Sequence, residues 1–290
     1  MYYAGILKCA LFDSEVFLFA ELPIPTLATL ACDGLRMLTD DDLFSACGVR
    51  LAFTERVGGV SEGPYASLNL AAHVLDSQDA VERNRRRLLT AIGVPDAKLV
   101  VPNQVHGTNL AYVESNEREY VQLCRDRIAE GTDGIVVGCT DVAAMLCFAD
   151  CMPVVLVAPG GMFAVVHAGW RGVYGNIAPK ALDLLCRKAG VQAKSCNAYM
   201  GPYIHAECFE VDAQLAQKFA TAFGEGCLAD DRHVDLGAAM RTSLMRAGMD
   251  PARIEEAGLC TVCNNERFFS YRAQDGVCGR HAAIAVRTER

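Results

Sequence analysis

The chain has 290 residues, of which 52% are hydrophobic and 21% charged, and its formal net charge is −8. This composition is typical of a compact globular protein and excludes a disordered chain. The acidic balance and the lack of a dense Lys/Arg stripe argue against a nucleic-acid partner. The basic run at 83–87 falls in a helical pattern, so it indicates a solvated helix face.

The N-terminal segment, residues 1–22, is apolar enough to be compared with a signal peptide. It lacks a basic n-region, and Lys8, Asp13 and Glu15 interrupt it, so a pair of strands around Asp13–Ser14 fits better. No apolar run approaches the roughly 18–20 residues of a membrane span. We therefore predict a cytoplasmic protein without a membrane partner, either a monomer or a small homo-oligomer.

Fourteen cysteines are scattered through apolar runs. Without an export signal they are expected to be free thiols that pack as small hydrophobic side chains in a reducing cytosol. Cys260 and Cys263 have the spacing of a redox or zinc pair, but the sequence has no second CxxC. A structural or incidental role is therefore favoured over a local role at the mouth of a site.

Strands and helices alternate along the sequence, which predicts one α/β domain over residues 1–290, with residues 1–45 as an N-terminal extension. Residues 25–50 give no consistent pattern. Apolar runs predict strands at 51–54, 99–101, 135–137, 143–148, 154–158, 162–166, 197–200 and 281–286. Helical periodicity predicts helices at 79–93, 117–129, from about 176, at 212–222 and at 237–248.

The most informative stretch is residues 142–172, where polar side chains occur only at the ends of apolar runs. Cys151 follows the first run and His167 ends the third, just before Ala-Gly-Trp-Arg-Gly. A catalytic zinc ion usually has three protein ligands, and the best third candidate is His106 in Gln-Val-His-Gly. Two imidazoles and one thiolate suit zinc best, although copper accepts the same donors.

Arg171 lies beside Gly172 and ahead of a predicted helix. An arginine together with exposed backbone N–H groups at a helix start forms a good phosphate pocket. A metal next to such a pocket suggests hydrolysis or phosphorolysis of a polar small molecule. Cys151 and a nearby histidine could instead form a nucleophile pair, giving a metal-independent hydrolase or deamidase.

Two residues near the glycine-rich loop at 55–64 are further candidates. Adjacent glycines let this loop approach a ligand closely. Arg56, at the exit of the preceding strand, can contact an anion or a ribose, or simply lie on the surface. Asn69 is flanked by apolar residues, and a buried Asn needs backbone or ligand partners.

Seven blocks resemble, in their order, the laccase-domain purine nucleoside phosphorylases, a family formerly described as multicopper polyphenol oxidases and in part as peptidoglycan editing factors. The resemblance covers roughly residues 50–287. The blocks are FTERVGGVSEGPYASLNL, NQVHG, TDGIV, ADCMPVVL, VVHAGWRG, GPYIHAECFEV and FFSYRAQDGVCGRHAAIAV. The resemblance implies a single-domain α–β–β–α sandwich with mixed sheets.

The resemblance also implies a zinc ion held by His106, Cys151 and His167. The implied activities are phosphorolysis of adenosine, inosine, guanosine and methylthioadenosine with phosphate as co-substrate, and deamination of adenosine. Carried over by position, five further residues would lie near the nucleoside, the phosphate or the metal pocket: Arg56, Asn69, Gln104, Asp133 and Arg171. Ala71, Leu75 and Ala273 depart from the family pattern and concern the shape of the substrate loop.

Copper-dependent phenol oxidation is physically weak, because six histidines cannot supply a type 1 site and a trinuclear cluster. Editing of peptidoglycan precursors remains a third enzymatic alternative. A partner-binding scaffold is weaker still, because it leaves the three ligands and Arg171 without a purpose.

Overall fold

Two six-stranded mixed sheets pack face to face in a computed structural model that describes residues 20–289. The strand pair predicted around residues 13–14 lies outside the described residues. In spatial order, the first sheet contains β1 (Ala28–Cys32), β2 (Leu35–Thr39), β3 (Val49–Thr54), β12 (His281–Arg287), β7 (Val142–Phe148) and β4 (Lys98–Val100). The second contains β11 (Ile254–Glu256), β10 (Asn197–Met200), β8 (Met152–Val157), β9 (Phe163–Ala168), β6 (Gly134–Val137) and β5 (Leu110–Val113).

Helices cover the outer faces of both sheets. Over residues 20–289 the α-helices are α1 (Asp41–Cys47), α2 (Gln78–Ala91), α3 (Arg118–Ile128), α4 (Trp170–Tyr174), α5 (Ile177–Ala189), α6 (Ala213–Phe223) and α7 (Leu236–Arg246). Of these, α1 and α3 pack against the core between the sheets. Helix α2 packs on the first sheet, and α4 to α7 pack on the second. Ser77 caps α2 and Asp235 caps α7, each by accepting a backbone N–H of the first turn.

The central strands are apolar at every position because both of their faces are buried. In β7, Leu146 and Phe148 point into the core between the sheets, whereas Met145 and Cys147 point towards α2. In β9, Phe163 and Val165 face the same inter-sheet core. The predicted single-domain α–β–β–α sandwich is confirmed.

Within residues 20–289 the predicted strands and helices are all present, with boundaries shifted by at most two residues. A short helix, α4, precedes the helix predicted from about residue 176. Residues 25–50, which gave no consistent pattern, form β1, β2, α1 and the start of β3. Two strands were missed, β5 and β11, and both are the outermost strands of the second sheet. An edge strand has one bonded neighbour and needs no continuous apolar run.

Within residues 20–289, no helix has both the length and the apolar character required to cross a bilayer.

Candidate metal centre

Strand pairing brings Cys151 and His167 together. The chain leaves the first sheet at Phe148 and enters the second at Met152, so Cys151 lies at the crossing. Strands β8 and β9 are antiparallel, with Met152 opposite Ala168. The start of β8 therefore lies beside the end of β9, where His167 is buried.

His106 reaches the same place from the loop that follows β4. Strands β4 and β7 are parallel, so their carboxyl ends lie at one edge of the first sheet. His106 has a φ of 58°, in the left-handed region that L side chains rarely adopt. Its ligand atoms and those of Cys151 and His167 lie within 4.8 Å of one another. The structure thus assembles the three predicted ligands.

Asp133 supports two of these ligands from below. Its carboxylate is fully buried and accepts a hydrogen bond from His167 Nδ1 at 2.8 Å. It also accepts the backbone N–H groups of His106 at 2.9 Å and Gly107 at 2.7 Å. A carboxylate that accepts the Nδ1–H of a ligating imidazole fixes the orientation of the ring. It leaves the Nε2 lone pair free to bind a metal. Burial raises the pKa of Asp133, but these hydrogen bonds outweigh it, so the pKa is lowered from its usual value.

Mutual contact shifts the ionisation of Cys151 and His167. Burial raises the pKa of the Cys151 thiol, but the charge of His167 and hydrogen bonds from both histidines lower it to about 6. Burial lowers the pKa of His167, but the Cys151 thiolate and Asp133 raise it to about 9. The cysteine is therefore a ready thiolate at neutral pH, the form that binds metals and attacks electrophiles.

Gly169 leaves room for this arrangement. A Cβ atom at this position would lie 3.0 Å from Cys151 Sγ and 3.3 Å from His106 Cδ2. The φ of Gly169 is −65°, which any residue can adopt, so the requirement is steric rather than conformational.

We expect Gly169→Ala to weaken zinc binding about tenfold, because a ligand displaced by a few tenths of an ångström no longer meets the metal geometry. Gly226→Ala is the matched control, since its Cβ meets nothing within 4 Å. Competitive zinc titration against a chromophoric chelator measures the difference. Equal zinc affinity in the two variants would contradict the close approach at Gly169.

A cavity of about 440 Å³ opens above the three ligands. This volume falls in the range of about 300–1,000 Å³ typical of small-molecule sites. Its walls combine aromatic and aliphatic side chains with cationic groups at one side. Besides the three ligands, the lining residues are His73, Gln104, Cys147, Ala149, Asp150, Trp170, Ile204, Phe209, Leu236, Tyr271, Arg272 and Arg280.

Of the five further predicted residues, Gln104 alone lines the cavity. Its amide donates to Cys147 O and accepts from Cys147 N, both at 2.8 Å, which fixes the His106 loop against β7. Asp133 lies beneath the three candidate ligands, hydrogen-bonded to His167 and to the backbone of His106. Arg171 is exposed, stacks 4.3 Å over the Trp170 ring and is not among the lining residues, because α4 directs it away.

Arg56 and Asn69 also make contacts within the chain. The Arg56 guanidinium donates to Ala66 O, Asn265 O and Gln274 Oε1, which ties the glycine-rich loop to the segment at 265–274. Asn69 is fully buried, and its Oδ1 accepts the backbone N–H of Arg280 at 2.9 Å. The role of Asn69 is therefore to position a residue that does line the cavity.

Sequence reasoning missed Asp150 and the cations Arg272 and Arg280. Asp150 has a φ of 85° and accepts hydrogen bonds from Thr261 Oγ1 at 2.6 Å and the Arg272 backbone N–H at 2.7 Å. These contacts join the β7–β8 crossing to the C-terminal loop. Both arginines lie in the block FFSYRAQDGVCGRHAAIAV, one of the seven that carry the family resemblance.

This fold and site define a class of protein: an α–β–β–α sandwich with a His₂Cys metal-type donor set beneath a small-molecule cavity. The chain belongs to the multi-copper polyphenol oxidoreductase laccase family, whose model matches residues 50–288.

Relatives in this family carry enzyme names. The chain is 32% identical over 250 residues to purine nucleoside phosphorylase YlmD of Geobacillus stearothermophilus, covering 83% of this chain and 91% of that protein. It is 33% identical over 233 residues to adenosine deaminase RL5 of an unknown prokaryotic organism, covering 78% and 88%. The crystal structure of YlmD from Geobacillus stearothermophilus superposes with a TM-score of 0.79 at 29% identity, over 91% of this chain and 100% of that one.

Proposed function

We propose that this protein is a zinc-dependent purine nucleoside phosphorylase that also deaminates adenosine. The observation that carries the proposal is the donor set of His106, Cys151 and His167 at the floor of a cavity with aromatic walls and arginines. The relatives named for purine nucleoside phosphorolysis and adenosine deamination support the same conclusion.

The donor set fits zinc. Two imidazoles and one thiolate are borderline-soft donors, and three protein ligands leave one position for substrate or water. The buried carboxylate of Asp133 holds the His167 tautomer that presents Nε2 to a metal. When bound, zinc supplies Lewis acidity at the floor of the cavity.

The walls of the cavity suit a purine nucleoside. The side chains of Phe209, Tyr271 and Trp170 provide flat apolar surfaces for a base. Arg272 and Arg280 supply positive charge for inorganic phosphate. In phosphorolysis a phosphate oxygen forms a bond to C1′ of the ribose as the C1′–N9 bond breaks and its electron pair leaves with the base. The chain's contribution is to orient the phosphate and the nucleoside so that the bond to C1′ can form as the C1′–N9 bond breaks.

Product analysis of the purified protein with inosine tests the proposal, with and without phosphate and before and after zinc removal. We expect hypoxanthine and ribose 1-phosphate to form only with phosphate and only when zinc is bound. Absence of product with adenosine, inosine, guanosine and methylthioadenosine, despite confirmed zinc, would overturn it.

Arg280 and Arg171 are expected to differ in their effect on the KM for phosphate. Arg280 Nη1 donates to Cys278 O and Gly279 O, and within residues 20–289 its Nε and Nη2 have no partner and can bind an anion. We expect Arg280→Gln to raise the KM for phosphate about 10–100-fold, the loss of a charge-assisted hydrogen bond of about 1.5–3 kcal/mol.

Arg171→Gln is the matched variant, and we expect it to change the KM for phosphate by no more than about twofold, as for other exposed side chains. Initial-rate kinetics with varied phosphate compare the two variants. A larger effect at Arg171 would restore the anion role that the sequence predicted for it.

A metal-independent Cys–His hydrolase is the second candidate. The paired Cys151 thiolate and His167 imidazolium, with Asp133 behind the histidine, form the arrangement of such a nucleophile. Activity that survives chelation but is lost on alkylation of Cys151, with an alkylation rate that rises through about pH 6, would favour this candidate over the phosphorylase.

A further inference from the structure

A second group of thiols lies outside the site described above. The ligand atoms of Glu207, Cys208, Cys260 and Cys263 all lie within 4.8 Å of one another. This group shares no residue with the His₂Cys centre, and it is the only other group of three or more such donors among residues 20–289. The CxxC pair that seemed incomplete in the sequence is thus completed by a cysteine 52 positions before it.

Backbone contacts hold the two contributing segments side by side. Tyr203 and Cys260 form a parallel β-bridge, and the Thr261 N–H donates to Tyr203 O at 3.0 Å. The His205 backbone N–H donates to Cys260 Sγ at 3.4 Å. An amide donor of this kind stabilises a thiolate and orients it as a ligand. The donors are therefore brought together by the fold and not by flexible side chains alone.

The distances match the edges of a metal tetrahedron. With Zn–S bonds of about 2.3 Å, tetrahedral geometry sets two thiolates about 3.8 Å apart, and the shorter Zn–O bond makes a sulfur–oxygen edge slightly shorter. Cys208 Sγ and Cys263 Sγ are 3.5 Å apart, and Cys263 Sγ lies 3.8 Å from Glu207 Oε1. Two donor–donor distances in this group are therefore close to the edge length that a small, thiophilic cation requires.

The charge of the Glu207 carboxylate and its cysteine neighbours also favours a bound cation. Within residues 20–289, the sole basic group within 4.0 Å of the Glu207 carboxylate is His205 Nδ1, at 3.9 Å. When the thiols ionise, they add negative charge beside this carboxylate, and a divalent ion offsets it. A disulfide between Cys208 and Cys263 would use two of the four donors and leave Cys260 and Glu207 unexplained.

We propose that Glu207, Cys208, Cys260 and Cys263 form a four-coordinate structural zinc site. Four protein ligands close the coordination shell, which is the property of a structural site rather than a catalytic one. The site ties together two segments that shape the cavity. Arg272 Nη1 donates to Cys208 O at 3.0 Å, and Phe209 follows Cys208 directly, so the zinc ion fixes this wall of the cavity.

Metal analysis of the full-length protein tests the site with Zn²⁺ alone as the probe. The reduced protein is loaded with zinc, desalted and assayed by elemental mass spectrometry. We expect about two zinc ions per chain in the wild type and one fewer in Cys208→Ser and in Cys263→Ser. The matched control Cys32→Ser, a half-buried thiol outside both groups, is expected to retain the wild-type content. Equal zinc content in Cys208→Ser and the wild type would overturn the proposal.

Cobalt distinguishes this site from the His₂Cys centre. Thiolate-to-cobalt charge-transfer absorption grows with the number of thiolates bound, so the three-thiolate site contributes most of it. We expect Cys208→Ser to lose most of this band while His167→Ala retains it, with circular dichroism confirming that both variants fold. A band carried entirely by the His167 centre, or a Cys208–Cys263 disulfide in the freshly purified protein, would refute a zinc site even if the nucleoside activity is intact.

Discussion

Replacement of His167 by alanine is expected to remove the metal from the cavity floor and to lower kcat/KM for inosine phosphorolysis about a thousandfold, or ~4 kcal/mol in activation free energy. His167 is buried, supplies one of the three candidate donor atoms and is held by Asp133, so its loss leaves this donor set incomplete. Steady-state kinetics and zinc analysis of the same preparation measure both effects.

His233→Ala is the matched control, because His233 pairs with the exposed Asp230 and takes no part in either group of donors. We expect it to retain wild-type activity and zinc content. Full activity together with full zinc in His167→Ala would exclude the assignment of this residue as a ligand.

The second large effect is expected at Asp133. In Asp133→Asn one acceptor oxygen becomes an NH₂ group, which then opposes the backbone N–H groups that the carboxylate accepts from Gly107 and its neighbours. Loss of a buried acceptor for charged and backbone donors costs about 3 kcal/mol in the free energy of unfolding. The His167 ring also loses its anionic partner, so zinc affinity falls about 10–100-fold.

Urea denaturation and competitive zinc titration measure these two losses separately. Asp183→Asn serves as the control, since Asp183 makes an exposed ion pair with Arg187 on helix α5 and is expected to shift stability by no more than about 0.5 kcal/mol. If Asp133→Asn raised the KM for nucleoside without changing zinc affinity or stability, the sequence-based assignment as a substrate contact would hold and the positioning role would fail.

Much of the site could be predicted from the sequence because its ligands have distinctive chemistry. Cys151 and His167 are polar residues at the ends of apolar runs, where a thiolate or a buried imidazole needs a partner. His106 is exposed and lies in a Gln-Val-His-Gly turn, and it was indicated by the need for a third ligand. The structure brings all three together. The contacts of Arg56 and Asn69 could not be predicted in this way, because an arginine or asparagine binds a carbonyl of the chain as readily as a ligand.

The sequence by itself determined the fold class and the candidate metal donors, since burial on both faces of a strand and ligand softness are local properties of the residues. The tertiary structure alone decided which polar groups share a site. It placed Arg280 in the cavity and Arg171 outside it, and it brought Cys208 to Cys260 and Cys263. These contacts depend on strand register and on the packing of loops from distant parts of the chain, and neither leaves a periodic signal in the sequence.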